Sequence, residues 1–429
     1  MRALVTLCCW LVATGCAAGP AAHSSPLPET DWLSAAGHGV FTHFLNGLQN
    51  EFGRNSQGKN SSWDACVSDF DVEAYAADAA STGAKYAFIT MMQGDQHMIA
   101  PNARFDALTG YEPGEACATR DLVLDLWAAL DKRGLKLGLY WTGDGPARDP
   151  KGAAGMGTDG SPPGRNIEFV KRWSSVLQEY SERYGDKVFG WWVDGCYYSA
   201  GNYGYNDTTL KYYHDAIRAG NPKAVMGFNN APQPVIASGD PWVHGGETTK
   251  WEDMTAGETN SFNSFGGALP ASRWVVGPTA EGPPEPFQLS QALVTVQWHE
   301  LTFLGSQWAA PGLCTCAGAL APNCSATGCT GYGADSVKIY TQSLNEVGAA
   351  LTVDLQLLRN GSMNPQQVAT LRSAWDDRWI CAANYGNTTC CCGQVAKCGG
   401  VGTGVSVQCK AEKPTCVGFV FGSQYGHCV

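Results

Sequence analysis

The chain has 429 residues, a formal net charge of -11 and 44% apolar residues. That length and apolar share allow a large buried core, as in one barrel-sized domain with an appendage. The acidic balance, with no basic runs, argues against nucleic acid or an anionic membrane as partner.

The N-terminus, residues 1–22, reads as a secretory leader. Arg2 supplies a charged start, residues 4–12 are mostly apolar, and small residues follow at Ala17, Ala18, Ala21 and Ala22. A lipoprotein reading, with Cys16 acylated, fits the residues from Val12 to Gly15 only loosely. No later apolar run is long enough to span a bilayer. The expected location is extracellular, or the lumen of the secretory pathway.

From residue 28 the pattern alternates. Strands are predicted at 39–44, 85–90, 135–140, 188–193 and 224–228, with helices at 72–81, 120–132, 167–183 and 208–219. Repeated strand–helix units imply a parallel sheet covered by helices. Their repetition across 28–377 favours an α/β fold of the closed (β/α)8, TIM-like kind over a doubly wound sheet. No GxGxxG follows the first strand, which disfavours a dinucleotide fold. Residues 231–288 are rich in Pro, Gly and polar residues and read as long loops. An apolar helix is predicted at 291–304, a helix at 336–347, a strand at 349–355 and a last helix at 364–377. Beyond Trp379 the composition turns to Cys, Gly, Thr and Val, so a boundary is placed near 377, with a small module at 378–429.

Cysteine use agrees with export. Three of the 18 cysteines lie in the leader, four in 314–329 and eight in 381–428. In an exported chain this is a disulfide pattern, and the tail is small enough to need stapling. The spacings Cys314-x-Cys316 and Cys390-Cys391-Cys392 lack the histidines of a zinc site. The odd number left after the leader implies one free thiol, with Cys196 the candidate. Sequons at Asn60, Asn206, Asn323, Asn360 and Asn387 point to a glycoprotein.

In a parallel barrel the reacting groups stand where strands end and loops begin. The polar and aromatic residues there are His43; Gln93, Asp95 and His97; Tyr140 and Trp141; Trp191, Trp192 and Asp194; then Asn229 and Asn230. The next loop offers Glu247, Glu252, Asp253 and Glu258. An aromatic-lined mouth with several carboxylates suits glycoside hydrolysis, which needs one ionised carboxylate and one protonated acid. Each residue also has a plainer reading. Asp194 could bond loop amides, Glu258 could be a solvated loop residue, and His43 could belong to the core. Trp63, Tyr140 and Trp192 could be packing. His43, Asp95 and His97 could form a metal site on composition, but no HxH or HExxH spacing supports one. Neither metal nor cofactor is expected.

Several stretches resemble glycoside hydrolase family 29, the α-L-fucosidases. Gly39-Val40-Phe41-Thr42-His43-Phe44 resembles that family's G-I-F-x-H-W opening strand. Phe70-Asp71 with Tyr75, then Gly83-Ala84-Lys85-Tyr86, resembles its F-D-A-x-x-W and G-A-K-Y segments. Arg133-Gly134-Leu135-Lys136-Leu137-Gly138-Leu139-Tyr140 resembles its R-G-x-K-x-G-x-Y-Y strand. Trp192-Val193-Asp194-Gly195 resembles its W-x-D-G strand end, and Asp253-Met254-Thr255-Ala256-Gly257-Glu258 its D-x-x-T-x-E loop. The matches run in order from about residue 30 to 375. The resemblance implies Asp194 as nucleophile and Glu258 as acid/base, with Glu247 and Glu252 as rivals for the acid. It implies substrate binding by His43, Tyr140, Trp141, Trp192, Asn229, Gln93 and His97. Two departures stand out: Gln93-Gly94 replaces a His-His pair, and Asn229-Asn230-Ala231 stands where the family often has an arginine. The implied activity is that of a secreted retaining exo-glycosidase acting on glycans or polysaccharides. A glycosidase for another sugar and a non-catalytic carbohydrate-binding barrel are the alternatives.

Overall fold

The computed structural model describes residues 27–197, 203–229, 249–259, 273–280, 289–312 and 333–376, with short strands at 379–382, 398–399, 406–407, 416–417 and 425–428. The leader, Glu247, the cysteines at 314–329, two of the sequon asparagines (Asn323 and Asn387) and most of the cysteine-rich tail lie outside the described residues.

Seven parallel strands form one sheet. They are β1 (His38–Thr42), β2 (Tyr86–Thr90), β3 (Lys136–Thr142), β4 (Val188–Asp194), β5 (Val225–Phe228), β6 (His299–Phe303) and β7 (Ala350–Leu355), in the order β5-β4-β3-β2-β1-β7-β6. Helices α1 (Val72–Ser81), α2 (Leu122–Asp131), α3 (Ile167–Tyr184), α4 (Asp207–Gly220), α5 (Ala334–Glu346) and α6 (Pro365–Ala374) alternate with them. The fold is α/β and consistent with a TIM-like barrel.

Side-chain size explains how the strands curl. Alternate residues on a strand face opposite sides. One set, including Phe41, Tyr86, Phe88, Tyr140, Phe189 and Trp192, packs together as a single interior cluster. The other set, including Val40, Ile89, Leu139, Trp141, Trp191 and Val193, packs with the helices. Interior positions 39 and 138 are glycines because a Cβ there would lie 2.3 Å from the Tyr86 ring and 2.4 Å from the Phe88 ring. Trp32 closes the far end, its ring 4.4 Å from Phe189.

Local chemistry starts each helix. Asp71, Asp121, Asn166 and Asn206 accept hydrogen bonds from the first free amides of α1 to α4. Each such cap is worth roughly 1 kcal/mol. Along α3, Phe169, Trp173, Leu177, Tyr180 and Tyr184 are buried at helical spacing.

The two edges of the sheet, β5 and β6, are joined by residues 253–259. Asp253 and Met254 donate to the Met226 carbonyl, Thr259 donates to Leu301, and Leu301 donates back to Gly257. Gly257 has a φ of 63°, and a Cβ there would lie 1.9 Å from the His299 carbonyl oxygen. The seam therefore requires glycine. Gly257→Ala is expected to destabilise the protein by about 2 kcal/mol or more. A denaturant melt checks this, and an unchanged midpoint would show that the seam tolerates a side chain.

The predicted helix at 291–304 is wrong. Leu289–Gln297 is a strand, paired antiparallel with Trp274–Ala280, and β6 follows it after one residue. The run holds β-branched Val294, Thr295, Val296 and Thr302, which favour strands. An apolar run alone does not distinguish a buried strand from a helix. The strand Trp274–Ala280 likewise corrects the reading of 231–288 as loop throughout. In the tail, Tyr425–Cys428 pairs antiparallel with Trp379–Ala382 and with Cys416–Val417.

Candidate active site

A cavity of about 400 Å³ opens among the loops that follow the strand ends. Phe41, His43, Tyr140, Trp192, Asp194 and Glu258 line it, together with Gln93, Asp95 and Trp308.

Asp194 is the last residue of β4. Its Oδ2 accepts from the Tyr140 hydroxyl at 2.6 Å, and its Oδ1 accepts from Tyr197 at 3.2 Å and from Asn229 Nδ2 at 2.9 Å. Three donors therefore converge on the one carboxylate and fix its orientation.

Glu258 lies on the closing seam. Its Oε2 accepts from the same Asn229 Nδ2, at 2.5 Å. An amide nitrogen carries two hydrogens, so Asn229 gives one to each carboxylate. Burial, and then the charge of Asp194, push Glu258 up to about 7, with the Asn229 bond opposing. Below about pH 7 Glu258 therefore holds its proton. The constellation pairs a carboxylate held by three donors with a second, raised carboxyl group beside an aromatic-lined cavity.

The interior set of side chains places the rest. His43 Nδ1 lies 2.9 Å from Asp354 Oδ1, and the Ala309 amide donates to Asp354 Oδ2 at 2.6 Å. This orients the imidazole in the cavity wall. Trp192 stacks on Tyr140 with ring centroids 5.4 Å apart and donates to the Ala256 carbonyl. Gln93 lines the cavity from the end of β2.

Two predicted binding residues stand elsewhere. Trp141 is on the outward face of β3, fully buried against Trp173 at 4.4 Å. One residue of strand alternation separates it from Tyr140, and that step decides which side of the sheet each faces. His97 is bonded to Asp95 and lies 5.7 Å from the Trp63 ring, behind the cavity wall. Asn229 is not a wall residue either; it is fully buried between the two carboxylates.

Glu252, the described rival for the acid, is buried and accepts from the amides of Phe228 and Thr249. Burial pushes it up to about 8, but it does not line the cavity. Trp63 is buried in the outer core, its Nε1 donating to the Met98 carbonyl. Cys196 is a buried free thiol beneath the site, and Cys66 and Cys117 are also free. Among the described residues no three His, Cys, Asp or Glu side chains are grouped to hold a metal ion, and no helix is long and apolar enough to cross a membrane.

Tyr197, Asp354, Trp308, Arg54 and Arg148 were not expected at the site. Asp354 had a usable signal, because it is the polar residue near the end of the predicted strand 349–355; the structure pairs it in register with Phe41, an inward residue of β1. Tyr197 stands three residues after Asp194, within reach of the same carboxylate. The other three come from loops with no periodicity to read.

A family model described as Alpha-L-fucosidase matches residues 20–268. Among solved structures, an endo-fucoidan hydrolase from glycoside hydrolase family 107 superposes with a TM-score of 0.53 at 14% identity, over 81% of this chain and 92% of that one. A second endo-fucoidan hydrolase of that family gives 0.55 at 14%, over 81% of this chain and 53% of that one. This chain thus spans about half the length of the second. An alpha-L-fucosidase from Lactobacillus casei, in complex with its α-L-fucose product, gives 0.48 at 16%, over 81% and 96%. A comparison with the curated proteins finds no match.

Proposed function

This chain belongs to the alpha-L-fucosidase family, and from that premise we propose that it is a secreted exo-glycosidase that removes terminal α-L-fucose with retention. The observation that carries the reading is the single Asn229 nitrogen shared by Asp194 and Glu258. With bonds of 2.9 and 2.5 Å to one atom, the nearest carboxylate oxygens lie less than about 5.5 Å apart. Retaining enzymes hold their two carboxyl groups about 5–5.5 Å apart, and inverting enzymes about 6.5–9.5 Å, to admit a water between them.

In this mechanism Asp194 attacks the anomeric carbon while Glu258 gives its proton to the departing oxygen. The sugar is then held covalently on Asp194. Glu258, now ionised, takes a proton from a water whose oxygen bonds to the anomeric carbon, breaking the bond to Asp194 and releasing the sugar. The Tyr140 and Tyr197 hydroxyls and the Asn229 amide hold Asp194 in its attacking position. The cavity volume falls in the lower part of the roughly 300–1,000 Å³ range of ligand pockets, which suits one terminal sugar. The leader supports export.

Gln93-Gly94, in place of a histidine pair, favours a second reading, in which the same machinery cleaves a different glycoside. A panel of nitrophenyl glycosides separates the two. Turnover of the α-L-fucoside alone supports the first, and turnover of another glycoside in its place supports the second. Binding of sugars without turnover of any glycoside would make the barrel a carbohydrate-binding protein.

A further inference from the structure

Two arginines, Arg54 and Arg148, line the same cavity as Asp194 and Glu258. Arg54 belongs to the loop after β1 and Arg148 to the loop after β3, so they flank the end of β2 from both sides. Both are exposed. Among the described residues neither guanidinium has a carboxylate partner within ion-pair distance, 4.0 Å. Asp95, on the same wall, is turned to its own loop, accepting from the His97 amide at 2.9 Å and lying 3.2 Å from its ring nitrogen.

The position of each arginine is built. Arg54 Nη2 donates to the Trp308 carbonyl at 2.6 Å. Arg148 donates its backbone amide to the Gly94 carbonyl at 2.8 Å. Gly94 has a φ of 74°, and a Cβ there would lie 3.1 Å from Arg148 Nε and 3.3 Å from its Cζ. A side chain at 94 would need a strained backbone and would crowd the guanidinium. The glycine that breaks the expected histidine pair therefore makes room for a cation at the cavity mouth. In a chain of net charge -11, these two guanidinium groups are the cations of a cavity whose other charged lining groups, Asp95, Asp194 and Glu258, are acidic, and Arg148 also acts on the nearby carboxyl of Asp144.

Building on the glycosidase reading, we propose that Arg54 and Arg148 form an anion subsite that takes a sulfate ester or a carboxylate carried by the glycan substrate. The planar guanidinium fork matches either group with two parallel hydrogen bonds. At the mouth, such a group would sit beside the sugar being cleaved and leave Asp194 and Glu258 to the reacting bond.

The test compares kcat/KM on matched fuco-oligosaccharides that are neutral, sulfated or uronate-bearing. Wild type, Arg54→Gln, Arg148→Gln and Arg148→Lys are assayed at low salt and at roughly 0.5 M salt, where exposed charges are screened. Wild type is expected to favour one charged form by about tenfold or more, and which form it favours identifies the anion. Salt and each glutamine substitution should collapse that ratio, while Arg148→Lys keeps part of it. Equal rates on neutral and charged substrates, or a preference that survives both glutamine variants, overturns the subsite while leaving the fucosidase reading intact. If no fucoside is cleaved, the fucosidase reading fails by itself. Calorimetric binding of the same oligosaccharides then decides the subsite: tighter binding of a charged form upholds it, and equal binding overturns it.

Discussion

Asp194→Asn is expected to lower kcat by at least about a thousandfold, the scale on which loss of a covalent nucleophile is felt. The fold and the affinity for sugar should survive. An asparagine keeps one oxygen for the Tyr197 and Asn229 donors. Its amide would face Tyr140, whose hydroxyl can rotate from donor to acceptor. The lost charge has a second consequence. The charge of Asp194 helps to raise Glu258, so Glu258 should titrate lower in the variant. Single-turnover kinetics on an activated aryl fucoside, with calorimetric sugar binding, measure both claims. Near-normal turnover would remove Asp194 from the nucleophile's role.

Glu258→Ala is expected to separate substrates by their leaving groups. A good leaving group departs without a proton and a poor one does not. Activity on a natural glycan should therefore fall by about a hundredfold or more, toward the upper range of general acid catalysis, with a smaller loss on an activated aryl glycoside. Azide should restore turnover by attacking the glycosyl-enzyme without a base. The pH profile gives an independent readout. Glu258 is raised to about 7, so it is protonated below that value and loses its proton as pH rises through it. Wild-type kcat on a poor leaving group should fall on the alkaline side of about 7. That alkaline limb should vanish in Glu258→Ala. Glu252→Ala should show neither azide rescue nor loss of the limb, since that carboxyl holds backbone amides of Phe228 and Thr249. If Glu252→Ala shows both and Glu258→Ala neither, the proton comes from Glu252.

Much of this was legible in the sequence wherever the signal is local. Strand alternation and helical spacing act within ten residues, and α1 and α3 lie where their periodicity puts them. Strand ends could be read too, so Asp194 was found as the polar residue closing an apolar run. Periodicity was silent at 291–304, where an apolar stretch suits either a strand or a helix. There the deciding fact is a pairing partner, Trp274–Ala280, outside the run itself.

The sequence by itself determined the parallel α/β plan, the candidate carboxylates and the family resemblance, because each rests on residue types at short or ordered spacing. Tertiary structure alone decided which side chains meet. His43 and Asp354 are 311 positions apart and bond only because β1 and β7 are neighbours. Asn229 joins Asp194 to Glu258 only because residues 253–259 close the sheet between β5 and β6. Tyr140 reaches the cavity and Trp141 does not because adjacent residues on a strand face opposite sides, and curvature makes one side the interior. The raised affinity of Glu258 for its proton follows from that same closure. A glutamate on a solvated loop keeps the ordinary value, and one sealed beside another carboxylate does not.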